Sequence, residues 1–229
     1  MARRLEAVRD RVVAAARVVG RDPADVQLLL AVKAQPVEAI QEAVLDGCRL
    51  LGHNRAQELV ATAPDLVDLP HEMHFIGRLQ SNKATKVVPL VSCVQSVDGL
   101  ALAERLDRLA GAAERVLDVF VQVNTSGEPT KAGVAPEGAL ELAVGVGALP
   151  NLRLRGLMTI GANSSDVDVV RESYERLAEL RDQVVASGAN GTAEARELSM
   201  GMSRDLEIAV AAGSTMVRVG TAVFGGRPG

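Results

Sequence analysis

The sequence alternates between short apolar segments and amphipathic segments, and this alternation restricts the fold more than any other feature. "VQLLLAVK" predicts a buried strand, and "PVEAIQEAVLDG" predicts a helix that begins at Pro36 and ends at Gly47. Further strands are predicted in "CRLLG", "HEMHFIG", "LVSCVQS", "RVLDVFVQVN", "LRLRGLMTIG", "ARELSMGM" and "STMVRVGTAVFG". The pattern therefore predicts about eight strands, each followed by a helix.

This repetition of βα units favours a single closed (β/α)8 TIM barrel over residues 1–229, because no linker or low-complexity segment interrupts it. An open doubly wound sheet is the alternative, although no Gly-x-Gly-x-x-Gly follows the first strand. Ser81 and Ser203 are predicted to cap the helices that follow them. An additional N-terminal helix is predicted before Gly20, from apolar residues at helical spacing: Leu5, Val8, Val12, Ala16 and Val19.

The composition argues against several classes of partner. Aromatic residues make up 2% of the chain and Trp is absent, so Val, Leu, Ala and Ile must fill the core, as in parallel barrels. Acidic and basic residues are interspersed and the net charge is −4, which predicts neither nucleic-acid nor membrane binding. Cys48 and Cys93 lie in apolar surroundings, as expected of buried, reduced thiols in a cytoplasmic protein.

The active site of a barrel lies at the carboxyl ends of its strands. Lys33 is the only ionisable group in its strand, and a desolvated amine at that point would suit imine formation. A solvated strand-end lysine is the alternative, and position alone does not separate the two. The other residues predicted at these strand ends are Asn54, 74–82, Asn124, Met158, 199–203 and 218–221.

Two loops near the end of the chain are suited to binding a phosphate. Barrels often hold phosphate in the loops after strands 7 and 8. "SMGMS" places Ser203 in the first of these loops, and "RVGT" places Gly220 and Thr221 in the second. Ordinary turn chemistry is the alternative for either loop alone. Because a closed barrel pairs strand 8 with strand 1, a phosphorylated aldehyde could bridge this phosphate cup and Lys33, and pyridoxal 5′-phosphate (PLP) fits that description.

Several longer motifs resemble the YggS/PROSC family of pyridoxal phosphate homeostasis proteins, which share the barrel of the alanine racemase N-terminal domain. The resemblance spans nearly the whole chain. It implies a cytoplasmic monomer that holds PLP as an internal aldimine, with PLP-dependent apoenzymes as candidate partners. It rests on "VKAQP", "GHNRAQE", "HFIGRLQSNK", "VNTSGEPTKAG", "GLMTI" and "LSMGMSRDLEIAVAAGSTMVRVGTAVFG".

The resemblance also implies roles for individual residues. Lys33 would form the Schiff base with PLP, and Ser203, Gly220 and Thr221 would hold the phosphate. Arg218 would approach the pyridine nitrogen, and the cofactor would be a poor electron sink because an arginine does not give up its proton. Three further residues match family positions that line the pocket: Asn54, Ser199 and Met200.

Two positions depart from the family pattern. Val32 stands where the family has Ser or Thr before the lysine, and His53 replaces the acid of a Gly-Glu-Asn motif. Tuning of the imine by a hydroxyl or a carboxylate is therefore in doubt, and His53 is predicted to be a solvated loop residue. His71 and His74 lie three apart on a predicted strand and face opposite sides, so no metal site is predicted.

Three functions can be compared on these grounds. The resemblance implies a PLP homeostasis protein without substantial catalysis. The alternative is a PLP-dependent amino acid racemase, which would need a second β-domain and a second base. No sequence follows Gly229 for such a domain, and Tyr174 is predicted to lie away from the site. An aldolase that acts through Lys33 would need an acid partner, for which Asp205 and Glu128 are the candidates.

Overall fold

The computed structural model describes residues 1–225, and its strands are β1 (Gln27–Ala31), β2 (Leu50–His53), β3 (Glu72–Phe75), β4 (Cys93–Val97), β5 (Leu117–Gln122), β6 (Leu152–Met158), β7 (Glu197–Ser199) and β8 (Met216–Val219). They are parallel, follow one another in chain order and close into a barrel, with β1 paired to both β2 and β8. The predicted TIM barrel is confirmed. The last residues of the predicted domain, 226–229, lie outside the described residues.

The helices of residues 1–225 are α1 (Ala2–Val18), α2 (Val37–Leu45), α3 (Ala56–Thr62), α4 (Ala84–Val87), α5 (Leu100–Ala112), α6 (Ala139–Gly147), α7 (Val167–Ala186), α8 (Leu206–Ala211) and α9 (Thr221–Phe224). The N-terminal helix α1 precedes the βα series and packs against α8 and α9. Four of its predicted apolar residues are buried, but Val19 is exposed because α1 ends at Val18.

The alternation of side chains along the strands builds two layers of core. The larger layer lies between the barrel and the helices and includes Leu30 and Val32. The smaller apolar cluster lies inside the barrel and consists of Leu29, Cys93, Phe120, Met158 and Met216. Buried polar side chains share this interior, among them Gln95, Ser199 and Arg218. The interior is therefore partly polar, although branched apolar side chains fill most such barrels.

Two predicted helix caps are wrong. Ser81 is the first residue of a 3-10 turn whose cap position is Gln80, and the residue at the cap of α4 is Lys83. The residue that precedes α8 is Asp205 and not Ser203. In both cases the serine belongs to the turn that leads into the helix, and serine is favoured in turns as well as at caps.

No helix in residues 1–225 is long and apolar enough to cross a membrane. Cys48 and Cys93 are buried and carry free thiols. Burial raises the pKa of both thiols, which suits packing rather than nucleophilic chemistry.

Candidate functional site

A cavity of about 690 Å³ lies at the carboxyl ends of the strands. Closure of the barrel forms this cavity. Because β1 pairs with β8, Lys33, which follows β1, lies near Gly220 and Thr221, which follow β8. The predicted residues that line this cavity are Lys33, Asn54, Ser203, Arg218, Gly220 and Thr221. Barrel topology thus gathers residues that are far apart in the sequence at one mouth.

Lys33 lies in the loop after β1, which ends at Ala31. The strand alternation sends the Val32 side chain into the outer core and leaves Lys33 exposed at the cavity. Of the two alternatives that position alone left open, the structure shows the solvated lysine. The amine is accessible to a ligand that enters the cavity.

The turn after Lys33 is held by its surroundings. The Gln35 N–H donates to the Val32 carbonyl at 3.2 Å, and Ala34 adopts a φ of 55°. Such a conformation costs a residue with a Cβ roughly 1–2 kcal/mol. The carboxylate of Glu58 accepts a hydrogen bond from the Ala34 N–H at 3.0 Å, which fixes the turn in this conformation.

The predicted phosphate cup is built from the β7–α8 and β8–α9 loops, which are joined directly. The hydroxyl of Ser203 accepts a hydrogen bond from the Ala222 N–H at 3.3 Å, and this bond occupies the serine that was predicted to be a helix cap. A Cβ at Gly220 would lie 2.9 Å from the Ala31 carbonyl oxygen, so only a glycine allows the backbone to pass this close to β1. Thr221 begins α9 and lines the same cavity.

Arg218 enters the cavity from inside the barrel. Its guanidinium donates from Nη1 to the Ser199 Oγ at 2.8 Å and from Nη2 to the Thr159 carbonyl at 2.6 Å. Burial lowers the pKa of Arg218 to about 10, so the side chain still carries its charge at neutral pH. Ser199 therefore lies behind Arg218 and does not line the cavity. The structure also places the Met200 side chain away from the cavity, in the outer core.

Two loops that line the cavity are joined by a clasp of hydrogen bonds, which was not predicted as such. Lys131 donates from Nζ to the Glu128 Oε1 and to the Gly161 carbonyl, both at 2.6 Å. The same Glu128 oxygen accepts the Asn163 N–H at 3.1 Å. These bonds lower the pKa of Glu128, with the Lys131 bond contributing most. In the sequence, the only indication of this clasp is "GEPTKAG", in which an acid and a lysine lie three residues apart between two glycines.

Tyr174 lies closer to the cavity than predicted. Its hydroxyl is buried against Gly161, which lines the cavity. A Cβ at position 161 would lie only 2.6 Å from the Tyr174 hydroxyl oxygen. Burial raises the pKa of Tyr174 well above its ordinary value, and the nearby charge of Asp205 raises this pKa more than the charge of Arg218 lowers it. Asp205 itself accepts the Met202 N–H at 2.6 Å. The phenol is thus adjacent to the site but protonated and covered.

The two departures from the family pattern both face away from the cavity. Val32 packs in the outer core, as described. His53 is buried, not solvated as predicted, and its Nε2 lies 2.9 Å from the Thr62 Oγ1. Burial lowers the pKa of His53 to about 4. Among residues 1–225, no group of three or more His, Cys, Asp or Glu side chains could hold a metal ion.

The cavity has a positive charge in a chain whose net charge is −4. Among the residues that line it, Glu128 and Asp205 are the carboxylates, and both accept the hydrogen bonds described above. The cationic side chains are more numerous: Lys33, Arg78, Lys131, Arg204 and Arg218. Such a cavity attracts a small anion, as expected for a phosphorylated ligand.

Comparison with known proteins gives close matches over the full length. Residues 4–228 match the family model described as alanine racemase, N-terminal domain. A pyridoxal phosphate homeostasis protein of Pseudomonas aeruginosa is 42% identical over 227 residues, which is 99% of this chain and 96% of the relative. PipY of Synechococcus elongatus, solved with PLP bound, is 36% identical with a TM-score of 0.81, and the match covers 98% of this chain and 99% of PipY.

A more distant match concerns the fold alone. An alanine racemase of Clostridium difficile superposes with a TM-score of 0.74 at 14% sequence identity. The match covers 95% of this chain and 55% of the racemase chain. The same barrel fold thus also forms one part of a longer protein chain.

Proposed function

Because this chain belongs to the family of pyridoxal phosphate homeostasis proteins, we propose that it binds PLP through Lys33 and acts in cytoplasmic PLP homeostasis without substantial catalysis. One observation carries the proposal: Lys33 and the loops of the predicted phosphate cup line a single, positively charged cavity. The match to PipY, whose structure holds PLP, supports the same ligand. Residues 1–229 are proposed to form one PLP-binding domain.

The residues present fit this cofactor. When bound, PLP supplies three groups: an aromatic ring, a phosphate, and an aldehyde that can condense with an amine. Lys33 is the exposed amine at the mouth of β1. The hydroxyls of Ser203 and Thr221, with the backbone at Gly220, would hold the phosphate, and Arg218 would face the ring. Asn54 lines the wall beside Lys33, whereas Ser199 would act through Arg218.

Several contacts favour binding over turnover. Arg218 keeps its proton at neutral pH, so it would not protonate a ring nitrogen placed against it. Tyr174, whose pKa is raised by burial, stays protonated and is not a base at neutral pH. The carboxylates of Glu128 and Asp205 already accept hydrogen bonds from Lys131 and from backbone N–H groups. These two carboxylates, which could otherwise transfer protons, are thus engaged in hydrogen bonds that hold the loops.

The absorption spectrum of the purified protein tests the proposal. Wild type with added PLP should show the visible band of the lysine-linked cofactor, and Lys33→Ala should lack it. Lys86→Ala is the matched control, because Lys86 is an exposed lysine on α4 outside the cavity, and it should keep the band. A wild-type protein that gains no band, or a Lys33→Ala variant that keeps it, would contradict the proposal.

Turnover separates this function from a racemase. The protein would be incubated with single enantiomers of alanine and serine, and loss of optical activity would be followed. We expect spectral changes without racemisation. Racemisation at ordinary enzymatic rates, roughly 1 per second or faster, would establish the alternative.

The proposal extends to partners and location. PLP-dependent apoenzymes are the proposed recipients of the cofactor, and the protein is proposed to act as a cytoplasmic monomer. The two buried free thiols support a reducing compartment. Sedimentation at several concentrations would test the monomer, and transfer of PLP to an added apoenzyme would test the recipient.

A further inference from the structure

A continuous chain of buried polar side chains crosses the barrel interior from the cavity towards the opposite end. It starts at Arg218 and passes through Ser199 and Gln95 to His74. All of these side chains are at least nine-tenths buried, with relative exposures of 6%, 0%, 0% and 7%. Buried polar groups of this kind need defined partners, because each unpaired one costs stability.

The hydrogen bonds in this chain can run in only one direction. Arg218 has donors alone, so the Ser199 hydroxyl accepts from it at 2.8 Å. The single hydroxyl proton of Ser199 is then donated to the Gln95 Oε1 at 2.6 Å. This fixes the orientation of the Gln95 amide, whose Nε2 lies 2.8 Å from the His74 Nδ1 and 3.1 Å from the Met216 sulfur.

The tautomer of His74 follows from that direction. Burial lowers the pKa of His74 to about 4, so the imidazole is neutral at pH 7. Its Nδ1 accepts from Gln95, and the proton is therefore on Nε2. His74 also lines a second cavity of about 310 Å³, formed by residues at the amino ends of the strands. The chain of bonds thus links the two ends of the barrel.

We propose that Gln95 and His74 are positioning residues that orient Arg218 through Ser199. The proposal deepens the proposed function and rests on it, since Arg218 is the group that would face the ring of PLP. With Nη2 bound to the Thr159 carbonyl and Nη1 bound to Ser199, the plane of the guanidinium is determined by two bonds. The Ser199 hydroxyl accepts from Arg218 through a lone pair, and its orientation is set because its own proton is donated to Gln95.

Replacement of Gln95 tests the link to the cofactor. Gln95→Leu leaves the Ser199 proton without its acceptor, and we expect the Kd for PLP to rise about tenfold and the absorption maximum of the bound cofactor to shift. Gln95→Glu keeps an acceptor for Ser199, so its Kd should stay within about twofold of wild type. If Gln95→Leu does not fold, Gln95→Met replaces it in the same comparison.

A matched control comes from the other buried histidine. Thr62→Val removes the partner of His53, which is equally buried but lies outside the barrel, at the α3 side of β2. This variant should lose stability without a change in Kd or absorption maximum. Equal effects of Gln95→Leu and Thr62→Val on the cofactor, or no effect of Gln95→Leu, would overturn the proposal.

Nitrogen NMR of the cofactor-free protein keeps this inference separate from the proposed function. The chain has three histidines, so the His74 signals can be assigned by substitution. At pH 7 we expect a neutral His74 with its proton on Nε2 in wild type, and a proton on Nδ1 in Gln95→Glu, where the carboxylate can only accept. A wild-type His74 protonated on Nδ1 would overturn the inference even if PLP binds. Failure of wild type to bind PLP would instead overturn the proposed function.

Discussion

At the scale of single residues, the alternation of side chains along β1 separates packing from chemistry. Leu30 and Val32 point into the outer core, and Lys33 points to the cavity. The residue before the lysine therefore does not reach a ligand bound there. Valine in place of the family's Ser or Thr at position 32 therefore changes the packing of the outer core and would not change the surroundings of an imine at Lys33.

Substitution of Val32 tests this separation. Val32→Thr places a hydroxyl in the fully buried outer core, and we expect a loss of about 1–2 kcal/mol in the free energy of unfolding. The absorption band of the bound cofactor should be unchanged. Urea denaturation and a PLP titration of the same variant measure the two quantities. A changed band with unchanged stability would contradict the assignment.

The two buried histidines predict a dependence of stability on pH. Burial lowers the pKa of His53 and of His74 from 6.5 to about 4. Between these values the unfolded chain binds protons that the folded protein does not, so stability falls as the pH falls. The contribution should be complete above pH 6.5 and be lost towards pH 4, on the order of 3 kcal/mol per histidine.

Urea midpoints between pH 7.5 and pH 4.5 measure this effect. His53→Gln removes one of the two groups, so the slope of stability against pH should fall by about half in this range. A slope equal to that of wild type would show that His53 does not titrate as described. His71 needs no correction in this comparison, because it is present in both proteins.

At the scale of elements, the β5–α6 and β6–α7 loops are joined by the clasp of Glu128, Lys131 and Asn163. Glu128→Ala removes the acceptor of both bonds, and we expect PLP to dissociate about five- to tenfold faster because the loops can separate. Stopped-flow transfer of PLP to an excess of apoenzyme measures this rate.

The exposed ion pair of Glu137 and Arg176, with a separation of 3.0 Å, supplies the control. Glu137→Ala also removes an acid that binds a basic side chain, but this pair does not line the cavity. Its dissociation rate should match that of wild type. Equal acceleration in both variants would show a general loosening and no specific clasp.

The elements also show how far the sequence predicts the site. Eight strands could be located because each lies in a short segment rich in apolar residues that is followed by a turn and an amphipathic segment, and their closure places Lys33 beside Gly220 and Thr221. The strand alternation that places Leu198 outside also places Met200 outside, so that side chain could have been assigned from the sequence. The bonds of Arg218 could not, since they join side chains from different strands and leave no periodic signal.

At the scale of the whole molecule, the proposed cofactor site depends on complete closure of the barrel. This site is formed by the loop after β1 and by the loops after β7 and β8. Arg11 on α1 also contributes, because its Nη1 donates a hydrogen bond to the Ser203 carbonyl at 3.1 Å. A partly folded chain that lacks the β1–β8 pairing would therefore lose the site. Binding and global folding should be coupled.

Thermal unfolding of the PLP-bound protein tests this coupling. The visible band of the cofactor and the far-ultraviolet circular dichroism should disappear with the same midpoint. Saturating PLP, at about 100 times its Kd, should stabilise wild type by about 2.7 kcal/mol and give Lys33→Ala much less. Loss of the band at a clearly lower temperature than the dichroism would indicate a separable site.

The pairing of β1 with β8 has a further consequence for synthesis of the protein. A nascent chain exposes Lys33 early, but the Gly220 and Thr221 segment is synthesised much later. An incomplete or prematurely terminated chain therefore presents a lysine without a phosphate cup. Cofactor capture would then require synthesis at least as far as Thr221, and chains truncated before that residue should not bind PLP.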